Sequence, residues 1–387
     1  MPKPELNYLQ TYLVEEFVED YRDGLMPRRE MVARVLSVTG GVAATATLLL
    51  SLGCAPAAQP TATTVPAKPT EAPKPTAPAA AAATAPASPT AAAMASPTAA
   101  TMASPTAAAM ATAAPTSGAA ATKPATSPAA GTPGTGPTNT PAPAPTPTQA
   151  RSKLSVKPDD PAVTASDVTF PGDGVTVMAY LARPKDGTGL RGVLVCHENR
   201  GLTEHIRDVT RRLGKAGYAA LAVDLLSRDG GTAKVDPTQV PGKLGNPAQH
   251  VADFQAGLRY LQSQSFVDRN KLGMVGFCFG GGITWLMAVN APELKAAVPF
   301  YGPPPPSADV PKIRAAVLAI YAGNDQRINA TIPDIEASMK QNNKTFEKII
   351  YPNVNHAFHN DTGSSWDENA ATDAWTKTLA WFDKYLV

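Results

Sequence analysis

Cysteine is scarce in this chain of 387 residues: there are three, at positions 54, 196 and 278. They belong to no Cys/His cluster, and no His-Glu-x-x-His run occurs, so no metal site is expected. Charge is nearly balanced, 34 Lys and Arg against 32 Asp and Glu, and the net +2 gives no reason to expect nucleic acid as a partner. Aromatic residues are absent from Ala55 to Ala150, a tract with only four charges but 20 of the 39 prolines. Such a stretch of Ala, Pro, Thr and Ser buries too little apolar surface to offset its ordering entropy, and it is expected to be a semi-extended tether. Its repeated unit, Met-Ala-Ser-Pro-Thr at Met94 and Met102, reads as drift within low complexity. A glycine-rich phosphate or dinucleotide loop is also missing, and no cofactor is expected. The glycine cluster from Gly276 to Gly282 has a cysteine at its centre instead.

That cluster is the most informative stretch. Gly276-Phe277-Cys278-Phe279-Gly280-Gly281 follows an apolar strand predicted over Lys271–Phe277 and leads into a helix predicted over Gly281–Asn290. A nucleophile on a strand-to-helix turn, with glycine two before and two after, is the pattern of a nucleophile elbow. The reason is steric: the sharp turn leaves no room for side chains at Gly276 and Gly280. It also aims the Phe279 N–H at the place where an oxyanion forms. The same residues fit a small buried hydrophobe, so the rest of the chain has to decide.

A thiol needs a base, and the base needs an orienting group. Only His356 and His359 follow Cys278, both in Asn355-His356-Ala357-Phe358-His359-Asn360 after a strand predicted over Phe346–Tyr351. His356 comes first after that strand and is the expected base; His359 is expected to face substrate or solvent. Asp325 follows the apolar strand Ala316–Tyr321 in a Gly-Asn-Asp loop, as the orienting acid or as an ordinary turn former. Nucleophile, acid, histidine, each on a loop after a strand, is the chain order of α/β-hydrolases. Open parallel sheets gather such loops at the carboxyl ends of their strands. Cys196, inside a strand, reads as core, while His205 and His250, on predicted helices, read as surface residues.

From about Val168 to Leu386 the chain resembles the dienelactone hydrolase (carboxymethylenebutenolidase) family of α/β-hydrolases. The resemblance is carried by the cysteine elbow, His197-Glu198-Asn199-Arg200-Gly201-Leu202, the segment Tyr218 to Leu226 with Asp224-Leu225, the Gly-Asn-Asp loop and His356-Ala357-Phe358. It implies a triad of Cys278, Asp325 and His356, with Glu198 beside the thiol as a fourth participant. Glu198 also stands on the loop after strand Arg191–Cys196, where a second oxyanion N–H originates, so Phe279 and Asn199 are the expected oxyanion donors. Family members hold a substrate carboxylate with two arginines. Arg228 matches one; the other position is taken by His359-Asn360 here, which leaves the clamp incomplete, with Arg200 as a candidate to compensate.

A thiol restricts the reaction. Attack by Cys278 on an ester forms a tetrahedral oxyanion, and collapse expels either the alcohol or the thiolate. The thiolate leaves more easily by several pKa units, so a simple alkyl ester mostly reverts. Enol and aryl esters, enol lactones and thioesters go forward, pointing to a small activated ester or lactone as substrate. Two rival readings are a non-catalytic envelope binding protein that keeps the fold, and a peptidase or acyltransferase on the same scaffold. The complete Cys278, Asp325 and His356 set argues against the first. The peptidase version of the second is weakened because there is no room for a propeller or a large cap domain.

Residues 1–54 read as an export segment. Pro27-Arg28-Arg29 supplies paired arginines, and an apolar run from Val35 to Leu52 ends at Ser51-Leu52-Gly53-Cys54. This resembles a twin-arginine signal fused to a lipoprotein site, with Cys54 as the lipidated residue and the N-terminus as membrane attachment in the cell envelope. Two features depart from that pattern: Ser51 stands three before the cysteine, and the stretch Glu15 to Asp23 is acidic. An uncleaved membrane anchor is the alternative. Residues 55–155 are the expected tether, and 156–387 the catalytic domain. Strands are predicted at Val175–Ala182, Arg191–Cys196, Ala219–Val223, Lys271–Phe277, Ala296–Phe300, Ala316–Tyr321 and Phe346–Tyr351. Helices are predicted at Glu204–Ala216, Pro247–Ser263, Gly281–Asn290, Ile332–Asn342 and Asp367–Tyr385. Short buried strands alternating with helices imply an α/β domain, a three-layer α/β-hydrolase fold on a mainly parallel sheet. A Cys196–Cys278 disulfide would consume the nucleophile, and none is expected.

Overall fold

The computed structural model describes residues 6–54 and 152–387. The expected tether therefore lies outside the described residues, except for its last four positions. From Ser152 on, the chain builds one eight-stranded sheet in the order β1-β2-β4-β3-β5-β6-β7-β8. The strands are β1 (Val163–Pro171), β2 (Thr176–Pro184), β3 (Leu190–Cys196), β4 (Tyr218–Asp224), β5 (Val267–Phe277), β6 (Ala296–Phe300), β7 (Ala316–Ala322) and β8 (Phe346–Tyr351). β1 pairs antiparallel with β2, and β2 with β4; every other pairing is parallel. β4 and β7 are buried along their whole lengths, as strands covered on both faces must be.

Seven strands stand where the apolar runs predict them. The eighth, β1, goes unpredicted because its sequence, Val-Thr-Ala-Ser-Asp-Val-Thr-Phe-Pro, buries only Phe170. It is an edge strand, so one ladder of backbone bonds to β2 holds it rather than a core face. Helices α4 (Glu204–Lys215), α5 (Val240–Lys243), α6 (Pro247–Ser263), α7 (Phe279–Asn290), α8 (Gln326–Asn329), α9 (Ile332–Gln341) and α10 (Glu368–Tyr385) connect the strands. α6 begins as its sequence dictates: Pro247 takes the first helical position, and the Asn246 side chain accepts the Gln249 N–H at 3.2 Å.

Two expectations about histidine fail here. His205 and His250 are buried, not on the surface. Both helices turn those faces to the core, where the His205 ring bonds Asp361 at 2.9 Å and the His250 ring bonds the Leu244 carbonyl at 3.0 Å.

Ahead of the domain lie three further helices, α1 (Tyr8–Arg22), α2 (Arg28–Thr39) and α3 (Val42–Ser51). α1 starts with a full capping box, Asn7 and Gln10 each bonding the other's backbone N–H. The apolar run from Val35 to Leu52 is not one continuous helix; it breaks at Gly40-Gly41, and α2 and α3 meet at a bend of 117°. Among the described residues no single helix is long and apolar enough to cross a membrane, although that bent pair passes by length and composition. α1 packs on the sheet domain itself: Leu9 lies against Gly282, and the Asn7 side chain donates to the Gly245 carbonyl at 2.7 Å.

Parallel register aligns the strand ends that matter. Cys196 pairs with Gly276, Phe277 with Phe300, Phe300 with Ile320, and Ala322 with Tyr351. The loops after β3, β5, β6, β7 and β8 thus leave the sheet at one edge, side by side.

Candidate active site

Cys278 sits at φ 57° and ψ −123°, a backbone conformation that side chains with a Cβ rarely adopt. Its neighbours make that turn obligatory. A Cβ on Gly276 would lie 2.1 Å from the Gly280 carbonyl oxygen, and one on Gly280 would lie 2.5 Å from that of His197. The Cys278 N–H bonds the Phe300 carbonyl at 3.1 Å, fixing the elbow to the end of β6. α7 starts directly at Phe279, two residues before its predicted start. Phe279 is thus the first helical residue, whose N–H has no acceptor within the helix.

The histidine loop and the acid loop meet beside this turn. His356 Nδ1 lies 2.6 Å from Asp325 Oδ2, and a His356 ring nitrogen falls within 4.8 Å of the Cys278 sulfur. Asp325 also acts as the turn former its loop suggests, because its other oxygen accepts the Ile328 N–H at 3.1 Å and caps α8. The two Asp325 oxygens thus have different partners, one the His356 ring and the other the Ile328 N–H. The histidine loop is backbone-strained at Ala357, with φ 63°. The Tyr301 ring, at the end of β6, packs 4.8 Å from that of His356.

Burial alone would push His356 down, but Asp325 outweighs it and holds the imidazole well above its ordinary value. Asp325 moves the other way: burial would raise it, and His356 holds it low. Burial and the nearby Glu16 carboxylate push the Cys278 thiol up to about 11, against the opposing influence of His356.

Glu16 is the residue that sequence reasoning missed. The Cys278 thiol donates to Glu16 Oε1 at 3.1 Å, and the Tyr12 hydroxyl donates to the same sulfur at 3.4 Å. Both residues belong to α1, more than 260 positions away in the chain, and no local pattern announces them. The Asn199 side chain donates to Glu16 Oε1 at 2.7 Å. Arg327, two residues past Asp325, lies 3.0 Å from Glu19 and 3.7 Å from Glu16, with its guanidinium over the Tyr12 ring. By distance alone, Glu16, Cys278 and His356 are close enough to share a metal ion. The thiol–carboxylate hydrogen bond already accounts for two of them.

These side chains border a cavity of about 150 Å³ that also takes in Glu198, Asn199, Arg200 and Asn360. Glu198 is buried there and accepts from Asn360 at 2.7 Å. The carboxylate in contact with the sulfur is that of Glu16. Arg200 borders the cavity, but two other expected binding residues do not. Arg228 is turned away: Asp253 and the Asp173 carbonyl hold its guanidinium. His359 is buried behind the site, stacked on Phe277 at 4.8 Å and packed against Phe300 and Trp375. Its loop turns at Ala357, so His356 and His359 point to different sides. Cys196 is core, as expected.

The dienelactone hydrolase family model matches residues 177–386, more than half of the chain. A protein of Methylorubrum extorquens, provisionally named a carboxymethylenebutenolidase, is 34% identical over 252 residues, covering 61% of this chain and 86% of its own. An Escherichia coli K12 protein of the same provisional name is 35% identical, covering 60% of this chain and 92% of its own. Among solved structures, a provisionally named dienelactone hydrolase from Klebsiella pneumoniae superposes with a TM-score of 0.55 at 35% identity, over 58% of this chain and all of that one. A dienelactone hydrolase-like promiscuous phosphotriesterase from metagenomic libraries gives 0.53 at 27% identity, over 58% of this chain and 99% of its own. The match to the family model begins after α1, α2 and α3.

Proposed function

Because the chain belongs to the dienelactone hydrolase family, and so to the hydrolases, we propose that it cleaves activated esters or lactones through an acyl-enzyme on Cys278. The observation that carries this reading is the strained elbow at Cys278, with His356 beside the sulfur and Asp325 on the far nitrogen of the same ring.

His356 takes the thiol proton as sulfur attacks the carbonyl carbon, and the carbonyl electron pair moves to oxygen. The Phe279 N–H and a donor from the Asn199 loop receive that oxyanion. Collapse breaks the carbon–oxygen bond to the leaving group, which takes the proton from His356. Water then attacks the thioester with His356 again accepting the proton, and thiolate leaves to be reprotonated. Asp325 fixes the ring so that one nitrogen always faces sulfur. The preference for enol and aryl leaving groups follows from competition between thiolate and alcohol at the tetrahedral stage.

The test is a panel of aryl, enol and alkyl esters with wild type and Cys278→Ala. Aryl and enol esters are expected to react far faster than alkyl esters of the same acid, with no turnover in the variant. Equal rates across leaving groups, or activity surviving in Cys278→Ala, defeats the proposal. The paired arginines and the apolar residues up to Cys54 support a second element of the reading, that the domain works in the cell envelope on an N-terminal lipid or peptide anchor. Cys54→Ala should move the protein from the membrane fraction to the soluble fraction; unchanged membrane recovery would count against lipidation.

A further inference from the structure

α1 lies outside the match to the family model, yet it contributes two groups hydrogen-bonded to the sulfur. Its acidic face is matched to what it covers. Glu16, Glu19 and Asp20, which share one side of the helix, all border the catalytic cavity together with Arg200 and Arg327. Asn199 and Arg327 hold Glu16, Arg327 also holds Glu19, and Leu9 and Asn7 fasten the start of the helix to the domain. We propose that α1 is an intramolecular inhibitor, with the Glu16 carboxylate seated on Cys278 where the carbonyl of a substrate must arrive, and that the working enzyme is the form from which α1 has withdrawn or, where Cys54 is lipidated, been cleaved away with residues 1–53.

Three physical consequences of the docked helix point the same way. Glu16 Oε1 at 3.1 Å from sulfur excludes an acyl carbon from the position needed for attack. The thiol spends its proton on that carboxylate, and the Tyr12 hydroxyl donates to the sulfur from a second direction. The negative charge of Glu16 disfavours a thiolate and favours a protonated His356, so the base is loaded and the nucleophile is not. Cys278 is only 3% exposed with the helix in place.

The inference rests on Cys278 being the nucleophile of the proposed hydrolase, and its test uses a readout that needs no turnover. Full-length wild type, Leu9→Asp and Glu16→Ala are compared for the rate at which iodoacetamide alkylates Cys278. Leu9→Asp removes the anchor of α1 without touching the cavity; Glu16→Ala removes the contact with sulfur and leaves the anchor. Both should label faster, Leu9→Asp by about tenfold or more, the equivalent of about 1.4 kcal/mol of lost docking. A synthetic peptide spanning Leu6 to Gly24 should slow labelling of Leu9→Asp again, and the same peptide with alanine for Glu16 should be weaker. Hydrolysis of an aryl ester should rise in step with labelling. Unchanged labelling in both variants, or no effect of the peptide, overturns the inference. So does faster labelling accompanied by slower hydrolysis, which would make α1 a working part of the site. Faster labelling with no hydrolysis in any form would sustain the helix as a plug while removing the hydrolase reading.

Discussion

At the scale of single residues, two histidines three positions apart have opposite surroundings. His356 has an acid on one ring nitrogen and sulfur near the ring. His359 has neither: its ring nitrogens make no hydrogen bond among the described residues, and aromatic rings enclose it. Burial holds it well below its ordinary pKa, so it stays neutral. A buried unpaired polar group costs about 1–3 kcal/mol. His359→Phe is therefore expected to keep hydrolysis at the wild-type level and to hold or raise the melting temperature. His356→Phe should abolish hydrolysis and also lower the melting temperature, because it leaves the buried Asp325 carboxylate without its ring partner. Melting curves alongside ester turnover check both; a catalytic loss in His359→Phe would put that ring back in the site.

At the scale of elements, the β5–α7 turn is where sequence and structure agree most closely. Alanine at Gly276 would place its Cβ 2.1 Å from the Gly280 carbonyl and 2.4 Å from the Thr284 hydroxyl, both parts of a helix that cannot slide without moving Cys278. Gly276→Ala is expected to lose about 3 kcal/mol, at the upper end for overpacking. For a domain of this size that is a drop of roughly 6–12 °C in melting temperature. Activity should fall further than stability, because the elbow itself is what moves. A variant that melts normally and turns over normally would show the turn to be less constrained than its contacts imply. The turn was legible because its constraint is local: two glycines, a cysteine and an apolar strand lie within the ten residues from Lys271 to Gly280. β2 to β7 were legible for a similar reason, since buried strands write themselves as apolar runs; β8, the other edge strand, buries no residue but still carries Phe346, Ile349, Ile350 and Tyr351. β1 was not, because an edge strand needs little apolar sequence. His359 and Arg228 were misplaced because loop spacing says where a residue lies along the chain and not which way the loop turns. The acidic face of α1 stood out only as an oddity in an export segment; its partners are Cys278, Asn199 and Arg327, and no local period links those positions to it.

At the scale of the whole molecule, one buried charge cluster ties the start of the domain to its end. Asp361, after the histidine loop, bonds His205 at 2.9 Å, Arg212 at 2.8 Å and the Ser152 N–H at 3.1 Å. Arg212 also bonds Asp208, and Asp208 accepts the Val156 N–H at 2.6 Å. Residues 152–156, α4 and the loop that carries His356 are thus joined through fully buried groups. Burial would raise the Asp361 carboxyl, but His205 and Arg212 overcome it and hold the group well below the usual carboxylate range. A carboxyl whose pKa is lower folded than unfolded adds stability that is complete above the unfolded value of about 3.9 and fades as pH falls below it. Asp361→Asn removes the charge while keeping the size, and leaves Arg212 with one carboxylate partner fewer. Breaking a buried pair by removing one partner costs about 3–5 kcal/mol, so the variant should melt well below wild type at neutral pH. The gap between the two should narrow as pH drops below about 4, because wild type then loses the contribution that the variant never had. Melting temperature measured from pH 7 down to acid unfolding follows both curves. Parallel curves over that whole range would mean that Asp361 is not the group through which acid loosens the domain.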